Sequence, residues 1–396
     1  MIFGRYPAFY LSCLFAFTAG HMINYSVIIY AQEVLESDLL SGLGFGLCFG
    51  PPIVLGWYAG VLCDRLAPGR LIHYAQAAFV VAALVLLLAD LRVAAPQARM
   101  VPFLGGAALA GVGWSFASPA RMAAVAQVVK PGELRAGALG LNLLVMLGFG
   151  LGPLAIGLVR SVTGWPGVFA VAAVLFLLSS ALLLGVQTHR SHRPRRHVLH
   201  EIREGFAAIL HEPLLGQFML AATVGYLAMG PMQVLLPKLA NARFGLGDLG
   251  RGLFLGTLAV ALLIGGLGAL KLASAVRSGL CILLATIVVG VMLASIGFAG
   301  GVGVAVALLF GVGLGGGFAL SLIVAGIQVN TGEAVRGRVL ATYTVISQVI
   351  PAAAGVGAGV MSHWFGPRQA MILCGGTIAL AALGNALWMR TLRELR

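Results

Sequence analysis

Apolar runs of about twenty residues, separated by short polar intervals, recur along the whole of this 396-residue chain. Each is long enough to cross roughly 30 Å of hydrocarbon at ~1.5 Å per residue. The runs lack the alternation of a lipid-facing barrel strand. Helices are therefore expected, since hydrocarbon offers no partner to exposed backbone groups. Twelve spans are predicted, near 8–31, 41–63, 71–89, 101–125, 136–159, 166–187, 213–237, 251–270, 277–298, 302–327, 338–362 and 368–390. The first run carries no small-residue cleavage site followed by a soluble domain, so it is expected to remain as a span.

The longest polar interval, residues 187–213, divides the spans six and six. It predicts an N-terminal bundle over 1–187, a cytoplasmic linker over 188–212 and a C-terminal bundle over 213–396. Residues 198–210 have the pattern of a short amphipathic surface helix. His189, His192, His197, His200 and His211 crowd into this interval, but no cysteine or ordered ligand spacing accompanies them, so no metal site is expected. The halves resemble each other where loops meet helices. QVVKPGELRAGAL from Gln127 aligns without gaps on QVNTGEAVRGRVL from Gln328, pairing Arg135 with Arg336. Duplicated halves suit a transporter that rocks around a midplane site.

Composition agrees with the pattern: 60% of residues are hydrophobic, 9% are charged, and the mean hydropathy is +1.00. The net charge of +13 is a matter of topology. With both termini cytoplasmic, the cytoplasmic loops, tails and adjoining helix ends hold 18 of the 25 Lys and Arg residues. Seven fall outside: Arg92, Arg99, Arg160, Lys238, Arg243, Arg251 and Arg368. This is the bias of a multi-pass protein of the bacterial cytoplasmic membrane, and nucleic acid is not expected as a partner. The five cysteines lie in or beside spans without CxxC spacing and read as packing residues.

Charge is scarce, so Asp64-Arg65 at the end of the second run stands out. A carboxylate at a helix end can accept from helix N-termini or pair with an arginine in one arrangement of a bundle only. The stretch Gly60-Val61-Leu62-Cys63-Asp64-Arg65, followed by Gly69 and Arg70, resembles the signature between the second and third helices of the major facilitator superfamily, although Leu71 replaces a final basic residue. The resemblance implies a fold of twelve transmembrane helices in two six-helix bundles. It also implies that Gly60, Asp64, Arg65, Gly69 and Arg70 form a conformational latch of the outward-facing state. In the fifth span, Gly148, Gly152, Pro153 and Gly157 resemble the antiporter motif, with Ile156 in place of a glycine. Glycines at that spacing permit close helix approach, and proline removes a backbone hydrogen bond. Three further stretches, from Ser118, Leu235 and Glu333, resemble the enterobactin-exporter and macrolide-efflux branch. Two departures matter: Ala107 stands where the superfamily has a fourth-helix arginine, and Gly20-His21 where the branch has Gly-Asp.

All twelve carboxylates lie in loops or at helix ends, Glu33, Glu36 and Asp38 among them. His21, an ionisable residue within a span, is therefore the proton-coupling candidate. The competing reading is a structural histidine bonded to Asn24 or to a backbone carbonyl. Asn24, Tyr25, Trp114, Asn142, Tyr226, Gln233, Tyr343 and Gln348 are the substrate-cavity candidates, and ordinary interhelical bonding competes for each of them. Met146, Met229 and Met232 add adaptable lining.

No nucleophile–base pair, HExxH or GxxxxGK[ST] motif is present, which argues against an enzyme or an ATP-driven pump. The expectation is a monomeric secondary exporter of a small organic molecule, driven by proton antiport and without a cofactor, a siderophore-like cargo being favoured. Multidrug or macrolide efflux is the nearest alternative. A receptor or lipid scrambler on a transporter fold is the alternative of a different class.

Overall fold

The computed structural model describes residues 2–190, 207–272 and 278–395; within them, the surroundings of Gly60 and the side chain of Asp64 lie outside what is described. Among the described residues there is no strand. The principal helices are α1 (Pro7–Glu33), α2 (Asp38–Phe49), α3 (Pro52–Arg65), α4 (Pro68–Arg92), α5 (Met100–Val128) and α6 (Leu134–Leu183). After residues 191–206, where most of the expected amphipathic segment and three of the linker histidines lie outside the described residues, come α7 (Pro213–Leu227), α8 (Met229–Ala242), α9 (Asp248–Leu272), α10 (Ser278–Ile296), α11 (Val302–Val329) and α12 (Glu333–Trp388).

Helix number and span number differ for physical reasons. Among the described residues, ten helical segments are long and apolar enough to cross a membrane. Two of these are far too long for one crossing: α6 has 50 residues and α12 has 56, about 75 and 84 Å at 1.5 Å per residue. Each breaks at a glycine in the left-handed region, Gly164 (φ 68°) or Gly366 (φ 78°). Proline follows at Pro166 and Pro367, so each is a pair of spans, and ten plus two gives the expected twelve. Conversely, the second span is bent between α2 and α3 at Gly50-Pro51-Pro52, where two residues lack an N–H, and the seventh is interrupted between α7 and α8.

The described helices fall into two compact units. One comprises residues 1–194 with Gly245–Gly256, the other Arg195–Phe244 with Thr257–Arg396. In the first, Phe9, Tyr10, Cys13 and Phe17 of α1 pack with Leu71, Ile72, Ala124, Val125 and Leu144. In the second, Phe218, Ile282, Leu283, Ile323, Ile327 and Val339 form the corresponding core. The outer faces are apolar as well: Val81, Leu84, Leu88 and Leu91 make an exposed stripe on α4, as a lipid-facing helix requires.

Candidate functional site

The loop following Asp64 is short because Leu66 and Ala67 adopt extended backbone and Pro68 starts α4 with its fixed φ. Arg65 and Arg70 are exposed. Gly69 has a defined neighbour: its N–H donates to Thr188 Oγ1 at 2.9 Å, and a Cβ added at Gly69 would stand 2.9 Å from that same oxygen. The next residue is clasped by Gln127, whose Nε2 donates to the His189 carbonyl (3.0 Å) while its Oε1 accepts from the His189 N–H (2.8 Å). Thr188 and His189 are thus bonded to the turn that follows α3 and to the end of α5. Thr188→Val removes one hydrogen bond worth about 1 kcal/mol and is expected to raise amide exchange at Gly69 roughly fivefold, read by hydrogen exchange.

The antiporter-motif glycines lie where backbones meet. A Cβ at Gly148 would fall 2.7 Å from Phe17 C, and one at Gly152 would fall 2.8 Å from His21 Cβ. At Gly157 it would meet the Asp248 carbonyl oxygen at 2.5 Å. Gly252 returns the contact, with its hypothetical Cβ 2.7 Å from the Pro153 carbonyl oxygen. The motif therefore presses α6 against α1 and against the Gly245–Gly256 segment, and all of these residues belong to the first unit.

His21 is buried beside Gly152, with its ring 5.4 Å from that of Trp114 and 5.2 Å from that of Phe149. Among the described residues, neither ring nitrogen has a hydrogen-bond partner. The expected alternative, a bond to Asn24, is not formed, because Asn24 Oδ1 accepts from Trp114 Nε1 at 3.1 Å. Asn24 Nδ2 and Ser26 Oγ are likewise buried and unpartnered. His21, Asn24, Tyr25 and Trp114 are thus brought together, Tyr25 sharing Phe149 with His21. Asn24 and Tyr25 are fully buried in this conformation, Trp114 is half-buried, and Asn142 is exposed and apart from them. In the second unit the hydroxyls of Tyr226 and Tyr343 lie 2.8 Å apart. Gln233 is buried and Gln348 half-buried, each with an unpartnered Oε1.

Two polar clusters were not foreseen. Arg121, counted above among the basic helix ends, lies seven residues before the end of α5 and is fully buried. Its Nη1 donates to Cys13 Sγ at 2.9 Å and its Nη2 to Ser179 Oγ at 3.2 Å, while its guanidinium carbon lies 5.5 Å from the Phe17 ring centre. Ser179 also accepts from Gln76 Nε2 (2.6 Å) and bonds Ser12, and Ser180 donates to Gln76 Oε1. Its place inside the predicted fourth span was the available signal.

The second cluster joins ends that the sequence keeps far apart. Glu33, at the end of α1, meets Arg160 of α6 and Arg251 of α9, each at 2.5 Å. Asp248 completes the group, 3.1 Å from Arg160 and 3.7 Å from Arg251. Arg160 also lies 4.5 Å from the Trp165 ring centre. Glu36, grouped with Glu33 in the sequence, is exposed, whereas Asp38 is buried in the first turn of α2.

Residues 9–356 match the family model described as the Major Facilitator Superfamily. No curated protein matches by sequence. Among solved structures, a POT family transporter in complex with 5-aminolevulinic acid is similar with a TM-score of 0.80 and 10% identity, over 98% of this chain and 96% of that one. A bacterial homologue of the human lysosomal transporter Spinster, inward-facing and unoccupied, gives 0.77 and 15%, over 98% of both chains. A D-xylose–proton symporter gives 0.76 and 15%, over 100% and 98%. At such identities the likeness is one of fold.

Proposed function

Since the chain belongs to the major facilitator superfamily, and is therefore a multi-pass transporter rather than an enzyme, we propose that it exports a small organic molecule by proton antiport. The observation that carries this reading is the seating of the antiporter-motif glycines: Gly148 and Gly152 hold α6 against α1 at Phe17 and His21, and Gly157 holds it against Asp248. An imidazole with two unpartnered nitrogens at that contact is a group able to take and release a proton as the helices part. The fold supports proton coupling, a D-xylose–proton symporter being built on it. The distribution of Lys and Arg supports cytoplasmic termini in a bacterial inner membrane. Asp64, Arg65 and Arg70 serve as the latch, and the chain works as a monomer.

The cargo we favour is siderophore-like, as in the enterobactin-exporter branch. Within the second unit, the aromatic faces of Tyr226 and Tyr343, with the amides of Gln233 and Gln348, suit a bulky and partly polar ligand. Within the first unit, Asn24, Tyr25 and Trp114 offer the same kind of chemistry.

Proteoliposomes with an imposed pH gradient test the mechanism. Gradient-driven siderophore movement is expected, reduced at least tenfold in His21→Ala and lost in Asp64→Asn. Movement indifferent to the gradient would overturn antiport. Deletion of the gene under iron starvation tests the cargo: intracellular accumulation of siderophore supports the reading, while unchanged secretion with new antibiotic sensitivity replaces it with drug efflux.

A further inference from the structure

Arg121 presents a charge problem. A guanidinium cannot shed its proton in a protein, and an unpaired one within a membrane-spanning bundle is costly. Among the described residues no carboxylate pairs with it. Its direct partners are a thiol and a hydroxyl, and its Nε–H is buried without any partner. Of the ionisable groups that feel its charge, Cys13 is a weak acid and His73 is itself a base.

The surrounding cage has too many donors. The Ser179 hydroxyl donates to the Ser12 carbonyl at 2.7 Å, so the 2.8 Å contact between the two hydroxyls must be donated by Ser12. Ser179 Oγ therefore receives Ser12, Gln76 and Arg121 together, three donors on an oxygen with two lone pairs. All of these side chains belong to α1, α4, α5 and α6 of the first unit. Each is buried, so bulk water supplies neither the missing acceptor nor the missing negative charge.

We propose that this cage is a binding site for a compact monoanion, a halide or a small carboxylate, held by Arg121 inside the N-terminal bundle. The anion accepts the Nε–H, relieves Ser179 of one donor and neutralises the guanidinium. It is a resident of the bundle core, distinct from the transported cargo, so the inference stands or falls independently of the export reading.

The test uses the purified full-length chain in dodecyl maltoside at constant ionic strength, with gluconate replaced stepwise by chloride or by formate. The unfolding midpoint is expected to rise saturably by about 3 °C or more with one of them. Arg121→Gln is expected to abolish that response, and Cys13→Ser to keep it. A flat wild-type response to both anions, or an equal response in Arg121→Gln, would overturn the site. Loss of the response in Cys13→Ser would overturn it too, by tracing the anion's effect to the thiol rather than to the guanidinium. Should Arg121→Gln fail to fold, wild-type crystals soaked in the anion that gave the response, bromide standing in for chloride, decide: density for it within hydrogen-bond reach of the guanidinium supports the site, and its absence there overturns it.

Discussion

Arg251→Ala is expected to destabilise the protein by about 3 kcal/mol, the range found when one member of a buried ion pair is removed. The Arg251 side chain is only 6% exposed, and Glu33, its partner, 19%. In the ion pairs described above, two arginines balance two carboxylates. Removing Arg251 leaves Glu33 and Asp248 sharing Arg160, so one guanidinium faces two partly buried carboxylates. Removing Glu33 instead leaves two arginines facing Asp248. The double variant Glu33→Ala/Arg251→Ala restores neutrality, retaining Arg160 with Asp248 at 3.1 Å. Its loss is therefore expected to fall short of the sum of the single losses by about 2 kcal/mol. Unfolding of the four proteins in detergent, compared as a double-mutant cycle, measures this directly. Additive losses would show that the residues are neighbours without being coupled. Because burial limits screening, the coupling should survive raised salt better than an exposed pair would.

How much of this was legible beforehand depends on the kind of constraint. Lipid forces every backbone group into a helix, so the twelve spans follow from hydropathy alone, and the turns at Gly164 and Gly366 fall between predicted spans. Averaged hydropathy conceals what one residue does inside a window. A single arginine barely alters the mean of the fourth span, so Arg121 was assigned to the basic ends, and its partners at 12, 13, 76 and 179 cannot be inferred from sequence order. For the same reason Glu33 was grouped with its neighbours Glu36 and Asp38 rather than with Arg251, 218 positions away. His21 stands out in the sequence as an ionisable residue within a span, but its surroundings do not, since Trp114 takes the Asn24 oxygen offered to it as a partner. The motif glycines were expected to permit close approach. Which backbone each one meets is a matter of tertiary packing.

Gly152→Val is expected to cut transport at least tenfold and to lower stability by about 1–3 kcal/mol. The obstruction is backbone rather than a flexible side-chain tip. A Cβ there would lie 2.8 Å from His21 Cβ, 3.0 Å from the His21 carbonyl carbon and 3.1 Å from the Met22 nitrogen. None of these atoms can swing aside, so α1 must move away from α6, taking with it the imidazole ring that lies between Trp114 and Phe149. Gly152→Ala places only the first of the offending atoms and should give a smaller loss of the same kind. Gly105→Ala is the control: that glycine is exposed on α5 with nothing within 4 Å of a new Cβ, so the change should be neutral or slightly stabilising. Transport in proteoliposomes and thermal unfolding must both be read. A lower melting point with an unchanged transport rate would mean that the close contact serves packing alone. Transport lost beyond what the fall in stability explains would tie the glycine contact at His21 to the working cycle.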